Sequence, residues 1–313
     1  MTPKSVFIVN PNAGNGSTGL NWPHIRALAK NSLAPFKSYV TSGPGDAVCI
    51  AREAIASGVE QVICVGGDGT LNEVLNGYMA HAESVRSGVR LGFIPNGTGC
   101  DFIKTVQIPG NTKQAVGVIA ANNVYAVDVG RLHYKDHDGN TRCRYFHNIS
   151  SFGLGGEVDQ RVNRTAKPFG PFVSFIWATL VSIFQYGKKK VYLKIDDHFE
   201  QICTVWNVAV SNGQYHGGGM WVAPDASVND GLFHVTVIGD LSVPQVFLNL
   251  PRLYNGRIMQ VKKVISVTGR KIEASSAQRV LLDVDGEQPG TLPVVIDLLP
   301  LALNLIAPGK ERL

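Results

Sequence analysis

Cysteine is scarce: the five, Cys49, Cys64, Cys100, Cys143 and Cys203, stand singly with no pair separated by two residues. That excludes a disulfide framework and a cysteine-rich zinc site, and the odd count suits a reducing compartment. Charge is scarce too. Only 17% of the 313 residues are Asp, Glu, Lys or Arg while 44% are apolar, which excludes a disordered chain and a coiled coil. The 29 Lys and Arg against 24 Asp and Glu give a net charge of +5, a mild basicity that suits phosphate-bearing ligands or an anionic membrane surface without selecting either. Near the N-terminus Asn10 and Pro11 interrupt the apolar run after four residues, so secretion is not expected; a cytoplasmic protein is expected, with no nucleic-acid partner.

An uninterrupted membrane span is also lacking. The most apolar stretch, Phe169 to Gly187, has Gly170 and Pro171 at its start, Ser174, Thr179 and Ser182 inside and Gln185 near its end, whereas a span needs roughly 20 predominantly apolar residues. It reads as a buried or groove-lining helix. With Lys188, Lys189 and Lys190 beside it, peripheral contact with the inner membrane face is the second reading.

What is there is length enough for two cores. Residues 1–127 alternate strand and helix, the pattern of a mostly parallel sheet covered by helices. Strands are expected at Ser5–Val9, Phe36–Val40, Gln61–Val65, Arg90–Ile94 and Val124–Val127, and helices near Trp22–Ala29, Gly45–Ser57, Thr70–Ala82 and Lys113–Ala121. From 128 to 302 the texture becomes short β-rich runs, Arg142–Ile149, Val191–Ile195, Cys203–Val210, Leu232–Val237, Arg279–Val284 and Val294–Leu298, as in an antiparallel β-sandwich. Helices near Pro171–Tyr186 and Val243–Leu253 interrupt them.

Chemistry should sit at the carboxyl ends of the parallel strands. There the strand Val62 to Val65 runs into Gly66, Gly67, Asp68, Gly69, Thr70 and then a helical pattern through Leu71, Val74 and Leu75. Glycines let backbone N–H groups approach a polyphosphate, and the helix adds its positive N-terminal end. The pattern is neither GxGxxG nor the lysine-bearing P-loop. Pro95 to Phe102, Asn10 to Gly14 and Thr41 to Gly43 supply three more polar loops on the same edge. In the second part, Ser211 to Gly219 contains three consecutive glycines, Asn229, Asp230, Gly231 offers a carboxylate to a hard cation, and Asp283, Val284, Asp285, Gly286, Glu287 ends a strand in an acidic turn fit to take a proton from an alcohol.

In order and spacing, VNPNAG, GGDGTLNEVLNG at 66–77, PNGTGCDF at 95–102, VDVGR at 127–131, SNGQYHGGGM and APDASVNDGLFHV at 211–235, and DVDGE at 283–287 resemble the diacylglycerol kinase catalytic-domain family, in particular its soluble bacterial lipid kinases, with sphingosine kinases as more distant relatives. The resemblance implies an α/β N-terminal domain similar to NAD kinases and 6-phosphofructokinases, an all-β sandwich C-terminal domain, and a last segment, 303–313, that rejoins the first domain. It implies ATP as co-substrate on Thr41, Gly66, Gly67, Asp68, Gly69, Thr70, Leu71, Asn72 and Thr98. Magnesium would lie at Asp230 with the carbonyls of Val228 and Leu232, Glu287 would be the proton acceptor, and Asp68, Asp101, Asp128 and Asp285 would support them. The sequence departs from the family's GTxND in one place: Cys100 stands where the asparagine is usual.

These expectations converge on transfer of the γ-phosphoryl group of ATP to the hydroxyl of diacylglycerol or a related lipid. Because GGDGT also occurs in them, an NAD kinase or sugar kinase is the rival enzyme. A nucleotide-binding regulatory protein is the rival without catalysis. Oligomeric state stays open, a homodimer included.

Overall fold

Short apolar runs bounded by turn residues become the strands of the first unit, which comprises residues 1–129 and 300–313 in the computed structural model. The structure describes residues 4–33, 35–164 and 171–308; residues 169–170 of the apolar stretch and 309–313 of the C-terminal segment lie outside them. The order is β1 (Ser5–Val9), α1 (Ser17–Ser32), β2 (Phe36–Val40), α2 (Asp46–Ala56), β3 (Gln61–Gly66), α3 (Asp68–Met79), α4 (Glu83–Arg86), β4 (Arg90–Pro95), α5 (Phe102–Val106), α6 (Thr112–Ala121) and β5 (Val124–Lys135). The strands β2, β1, β3 and β4 pair in that order and all in parallel. Alternation along β3 sends Ile63 and Val65 toward Ile25, Ala29, Val116 and Ile119 of α1 and α6. Val62 and Cys64 bury on the opposite face, whose helices α2 and α3 pack on one another.

The second unit, residues 130–299, is antiparallel. Its elements are β6 (Thr141–Phe146), β7 (Ile149–Gly153), α7 (Leu154–Arg164), α8 (Pro171–Gln185), β8 (Lys189–Ile195), β9 (Phe199–Val205), β10 (Asn207–Ser211), β11 (Tyr215–His216), β12 (Met220–Trp221), β13 (Phe233–Ile238), α9 (Val243–Tyr254), β14 (Val264–Gly269), β15 (Lys271–Ser275), β16 (Leu282–Val284) and β17 (Thr291–Ile306). One sheet runs β14-β13-β10-β7-β16, while β17, β15, β8 and β9 pair in succession in the other, with β5 joining β17 to β6. Phe146, Phe152, Leu193, Val208, Phe233 and Ile272, drawn from both sheets, pack into one buried core.

On β10 the alternation is plain: Val208 and Val210 enter the sandwich core, whereas Ala209 faces a second cluster with Ile183, Trp206, Leu253 and Ile258. Helices thus cover the outer face of that sheet. Helix α9 starts with a capping box, Ser242 with Gln245, whose Oε1 accepts the Ser242 N–H at 2.9 Å. Strand β17 ends in the first unit, where Leu305 pairs in parallel with Leu91 of β4.

Several expected elements differ in extent. The run Arg142–Ile149 is two strands, β6 and β7, and Cys203–Val210 is divided between β9 and β10 at Trp206. Helix α3 starts at Asp68 rather than Thr70, β5 continues past Val127 to Lys135, and α7, β14 and β15 stand where the sequence pattern marks no element. No helix among the described residues is long and apolar enough to cross a membrane.

Candidate active site

Four loop ends meet at the carboxyl edge of the first unit's sheet. Asn96 N–H donates to the Gly66 carbonyl at 2.7 Å, and Asn10 N–H donates to the Val65 carbonyl at 3.0 Å, continuing the ladder beyond β1 and β4. Asn10 Nδ2 then reaches Thr70 Oγ1 at 2.9 Å, and Thr18 Oγ1 donates to the Asn96 carbonyl at 2.7 Å. Gly97 lies so close to Gly67 that a Cβ on it would be 2.4 Å from the Gly67 Cα. Asp68 Oδ2 accepts the Asp101 N–H at 2.7 Å, clamping the second loop onto the start of α3. Thr41, from the loop after β2, donates its N–H to the Val9 carbonyl at 2.9 Å. Glu73 of α3 takes the N–H groups of Gly45 and Ala47 at 2.9 and 3.1 Å, fixing the start of α2 beside it.

Gly67, Asp68 and Gly69 remain partly open at the N-terminus of α3, and Thr98 is exposed. That set of glycine backbone, helix N-terminus and hydroxyl is suited to phosphate oxygens. Leu71 and Asn72 are buried on α3, Asn72 Oδ1 taking Asn76 Nδ2 at 3.1 Å, so neither side chain opens onto the loops. Cys100 occupies a left-handed conformation, φ 44°, and burial pushes its thiol up to about 12, keeping it neutral. Asp101 accepts Lys104 Nζ at 2.7 Å. Asp128 is fully buried and its Oδ1 accepts the Leu301 N–H at 2.7 Å, tying β5 to the end of β17.

In the second unit the acidic run forms a two-residue hairpin turn. Val284 and Glu287 exchange N–H···O bonds of 2.8 and 3.1 Å around Asp285 (φ 49°) and Gly286 (φ 86°), the conformation that Asp-Gly favours. Glu287 Oε2 meets Arg144 Nη2 at 2.5 Å, with the Glu287 side chain 41% exposed. Asp285 instead points inward and accepts N–H groups from His147, Asn148 and Ile149 at 3.1, 3.2 and 3.0 Å, with His147 Nδ1 at 2.8 Å. Asp283 is wholly buried; its Oδ2 lies 2.9 Å from His216 Nε2 and 3.1 Å from Ser151 Oγ, and its Oδ1 takes the Gly286 N–H at 2.9 Å.

The triple glycine turns β11 into β12, all three residues having positive φ, and pairs His216 with Met220. Beside it an apolar cavity of about 110 Å³ is walled by Leu154, Ile183, Trp206, Val222, Leu250 and Leu253, with His216 on its lining. Asp230 Oδ1 accepts the Leu232 N–H at 3.0 Å and Oδ2 lies 3.5 Å from His234 Nε2. Among the described residues no group of three or more His, Cys, Asp or Glu side chains is arranged to hold a metal.

Residues 4–132 match the diacylglycerol kinase catalytic domain, and residues 148–307 match the YegS C-terminal NAD kinase beta sandwich-like domain. The chain belongs to the diacylglycerol kinase family. A diacylglycerol kinase of Staphylococcus carnosus (strain TM300) is 29% identical over 297 residues, 94% of this chain and 91% of that one. A probable lipid kinase YegS-like protein of Xanthomonas euvesicatoria pv. vesicatoria is 28% identical over 278 residues, covering 87% and 86%. A crystal structure of a diacylglycerol kinase from Bacillus anthracis str. Sterne superposes with a TM-score of 0.71 over 98% of this chain and 97% of that one; at 23% identity it shows the shared fold. This family member is accordingly a lipid kinase, a phosphotransferase, with the α/β domain and β-sandwich that its sequence implied.

Sequence reasoning assigned no role to Asn10, Glu73, Arg144, His216 or Asp283. Asn10 and His216 stood in loops already singled out, but their partners, Thr70 and Asp283, lie far along the chain. No local pattern signals such pairs.

Proposed function

We propose that this lipid kinase transfers the γ-phosphoryl group of ATP to a hydroxyl of diacylglycerol or a related acyl lipid such as phosphatidylglycerol. The observation that carries the acceptor class is the apolar cavity: its walls are mostly aliphatic and aromatic carbon, with Thr179, Asn207, His216 and Asn249 as the polar side chains among the described residues, which suits an acyl chain better than NAD or a sugar. Support for the nucleotide comes from Gly67, Asp68, Gly69 and Thr98 at the open start of α3.

In this reading the backbone N–H groups of that loop hold the phosphates, as phosphoryl transfer depends chiefly on positioning and charge neutralisation. The lipid oxygen forms its bond to phosphorus as the bond from phosphorus to the ADP oxygen breaks. Glu287 receives the hydroxyl proton; Arg144 fixes one of its carboxylate oxygens, and the proton goes to the other. Asp230 has one oxygen engaged by a single N–H and its side chain is 33% exposed, so it retains lone pairs for a hard cation whose remaining ligands are carbonyls and water. It fits magnesium together with the carbonyls of Val228 and Leu232. Bound there, magnesium would neutralise phosphate charge. Asp285 and Asp128, each committed to backbone N–H groups, shape the turn and strands that carry these residues.

Helices α8 and α9 wall the cavity and expose Trp177, Phe184 and Leu248, and Lys189 and Lys190 follow α8 in the chain, which supports peripheral contact with a lipid surface. The testing experiment incubates the protein with magnesium and γ-labelled ATP against diacylglycerol, monoacylglycerol, phosphatidylglycerol, a sphingoid base, NAD and glucose. Label in a lipid supports the reading; label in NAD or glucose alone overturns it.

A further inference from the structure

Asn10 follows β1 directly, and its N–H reaches the Val65 carbonyl at 3.0 Å, so its backbone is fixed at the carboxyl edge of the first unit's sheet. Its side chain is fixed at both ends as well. Oδ1 accepts the Asn12 N–H at 3.0 Å, and Nδ2 lies 2.9 Å from Thr70 Oγ1. A backbone N–H can only donate, so the amide oxygen must face Asn12 and the NH2 group must face Thr70. Thr70, the third residue of α3, stands over Gly66, where a Cβ would lie 2.8 Å from the threonine's hydroxyl oxygen. The glycine leaves that hydroxyl its room.

The direction of these bonds decides what Thr70 can do. A hydroxyl has one proton and two lone pairs; with one lone pair taken by the Asn10 NH2 group, the proton cannot point at Asn10 and turns elsewhere. The carbonyl one turn back, that of Gly66, already accepts the Asn96 N–H at 2.7 Å. Thr70 is 7% exposed, so bulk water competes little for the proton. A donor held this way in the first turn of α3 suits an anionic oxygen, since hydrogen bonds to ionised acceptors are the strong ones and the helix N-terminus favours negative charge.

We propose that Asn10 is a positioning residue of the nucleotide site, one that commits the Thr70 hydroxyl to donate to a phosphate oxygen of ATP. This rests on the ATP reading above. In Asn10→Asp one carboxylate oxygen still takes the Asn12 N–H, but the other accepts the Thr70 proton. Both contacts survive, the second one reversed, and the donor to phosphate is gone.

The test titrates ATP with magnesium into the full chain by calorimetry, for the wild type, Asn10→Ala, Asn10→Asp, Thr70→Val, Thr70→Ser and the two Asn10 changes combined with Thr70→Val. Affinity for ATP should fall about tenfold in Thr70→Val and in Asn10→Asp, fall about fivefold in Asn10→Ala, and stay within about twofold in Thr70→Ser, which keeps the hydroxyl. Combined with Thr70→Val, Asn10→Ala should cost less than about twofold more, because no hydroxyl is left to aim. The further loss from Asn10→Asp in that background measures the repulsion of its charge alone and should be smaller than its loss in the wild type. In steady state the KM for ATP should rise with the KM for the lipid unchanged. Asn10→Asp should unfold in urea near the wild-type midpoint; if it does not fold, the pairing of Asn10→Ala with Thr70→Val decides. Losses that simply multiply in the double variants, or wild-type affinity in Asn10→Asp, would make Asn10 a loop anchor only and leave the ATP reading standing. A wild type that takes up no ATP would overturn both.

Discussion

A Cβ on Gly97 would lie 2.4 Å from the Cα of Gly67, so the two Gly-rich loops touch backbone to backbone. Nothing larger than hydrogen fits between them. Gly97→Ala should therefore cost about 1–3 kcal/mol of stability and weaken ATP binding at least about tenfold. Gly99→Ala, with nothing within 4 Å of its added methyl, is the control and should change neither. Urea unfolding and an ATP titration of the two variants check this, and equal behaviour of the pair would refute it.

Asp230 is proposed to hold magnesium; its carboxylate accepts the Leu232 N–H at 3.0 Å and lies 3.5 Å from His234 Nε2. Asp230→Ala should raise the magnesium concentration for half-maximal activity about tenfold or more, with little effect on unfolding. A magnesium titration of turnover reads this directly, and an unchanged midpoint would remove the residue from the metal site.

Asp285 satisfies three buried N–H groups from residues 147–149. Each unsatisfied buried donor costs about 1–3 kcal/mol, so Asp285→Ala should lose at least about 3 kcal/mol. Asp285→Asn keeps one acceptor oxygen and should lose less. Chemical denaturation orders the three proteins; a loss below about 1 kcal/mol in Asp285→Ala would deny the carboxylate its structural role.

The Cys100 thiol, with an ordinary value of 9.0, is pushed up to about 12, first by burial and next by the Asp68 charge. The folded state thus binds this proton more tightly than the unfolded one. Its contribution to stability is complete below about pH 9 and is lost as pH rises from about 9 toward 12. Cys100→Asn removes the ionisable group and places at φ 44° a residue that tolerates the left-handed region. Its Tm should fall less steeply than that of the wild type between about pH 9 and 11; parallel curves would count against the shifted thiol. At about pH 8 iodoacetamide should label exposed Cys49 well before Cys100.

The parallel strands and the Gly-rich loops at their ends were legible because each is a local pattern: β1 and β2 have the limits of their apolar runs, and Gly66 to Thr70 follows β3 directly. What escaped depends on distant partners. The break between β6 and β7 falls at His147 and Asn148, whose N–H groups leave the ladder for Asp285, 138 and 137 positions away. Helix α7 begins Leu154, Gly155, Gly156, a turn signal by sequence; the glycines serve close packing, since a Cβ on Gly156 would meet Leu281 at 2.7 Å. The acidic turn was legible from Asp285 and Gly286, but not that Asp285 faces inward while Glu287 pairs with Arg144.

If ATP and a lipid hydroxyl react on this chain with Glu287 taking the proton, a single-turnover assay shows it. ATP, magnesium and diacylglycerol are mixed with the wild type or Glu287→Gln, and the product is weighed by mass spectrometry. A lipid heavier by one phosphoryl group, formed about 10² to 10⁴ times more slowly in the variant at unchanged ATP affinity, is the expected outcome. Equal rates in the two proteins would remove Glu287 from the proton transfer, and ADP formed with no phosphorylated lipid would rule out the lipid hydroxyl as acceptor.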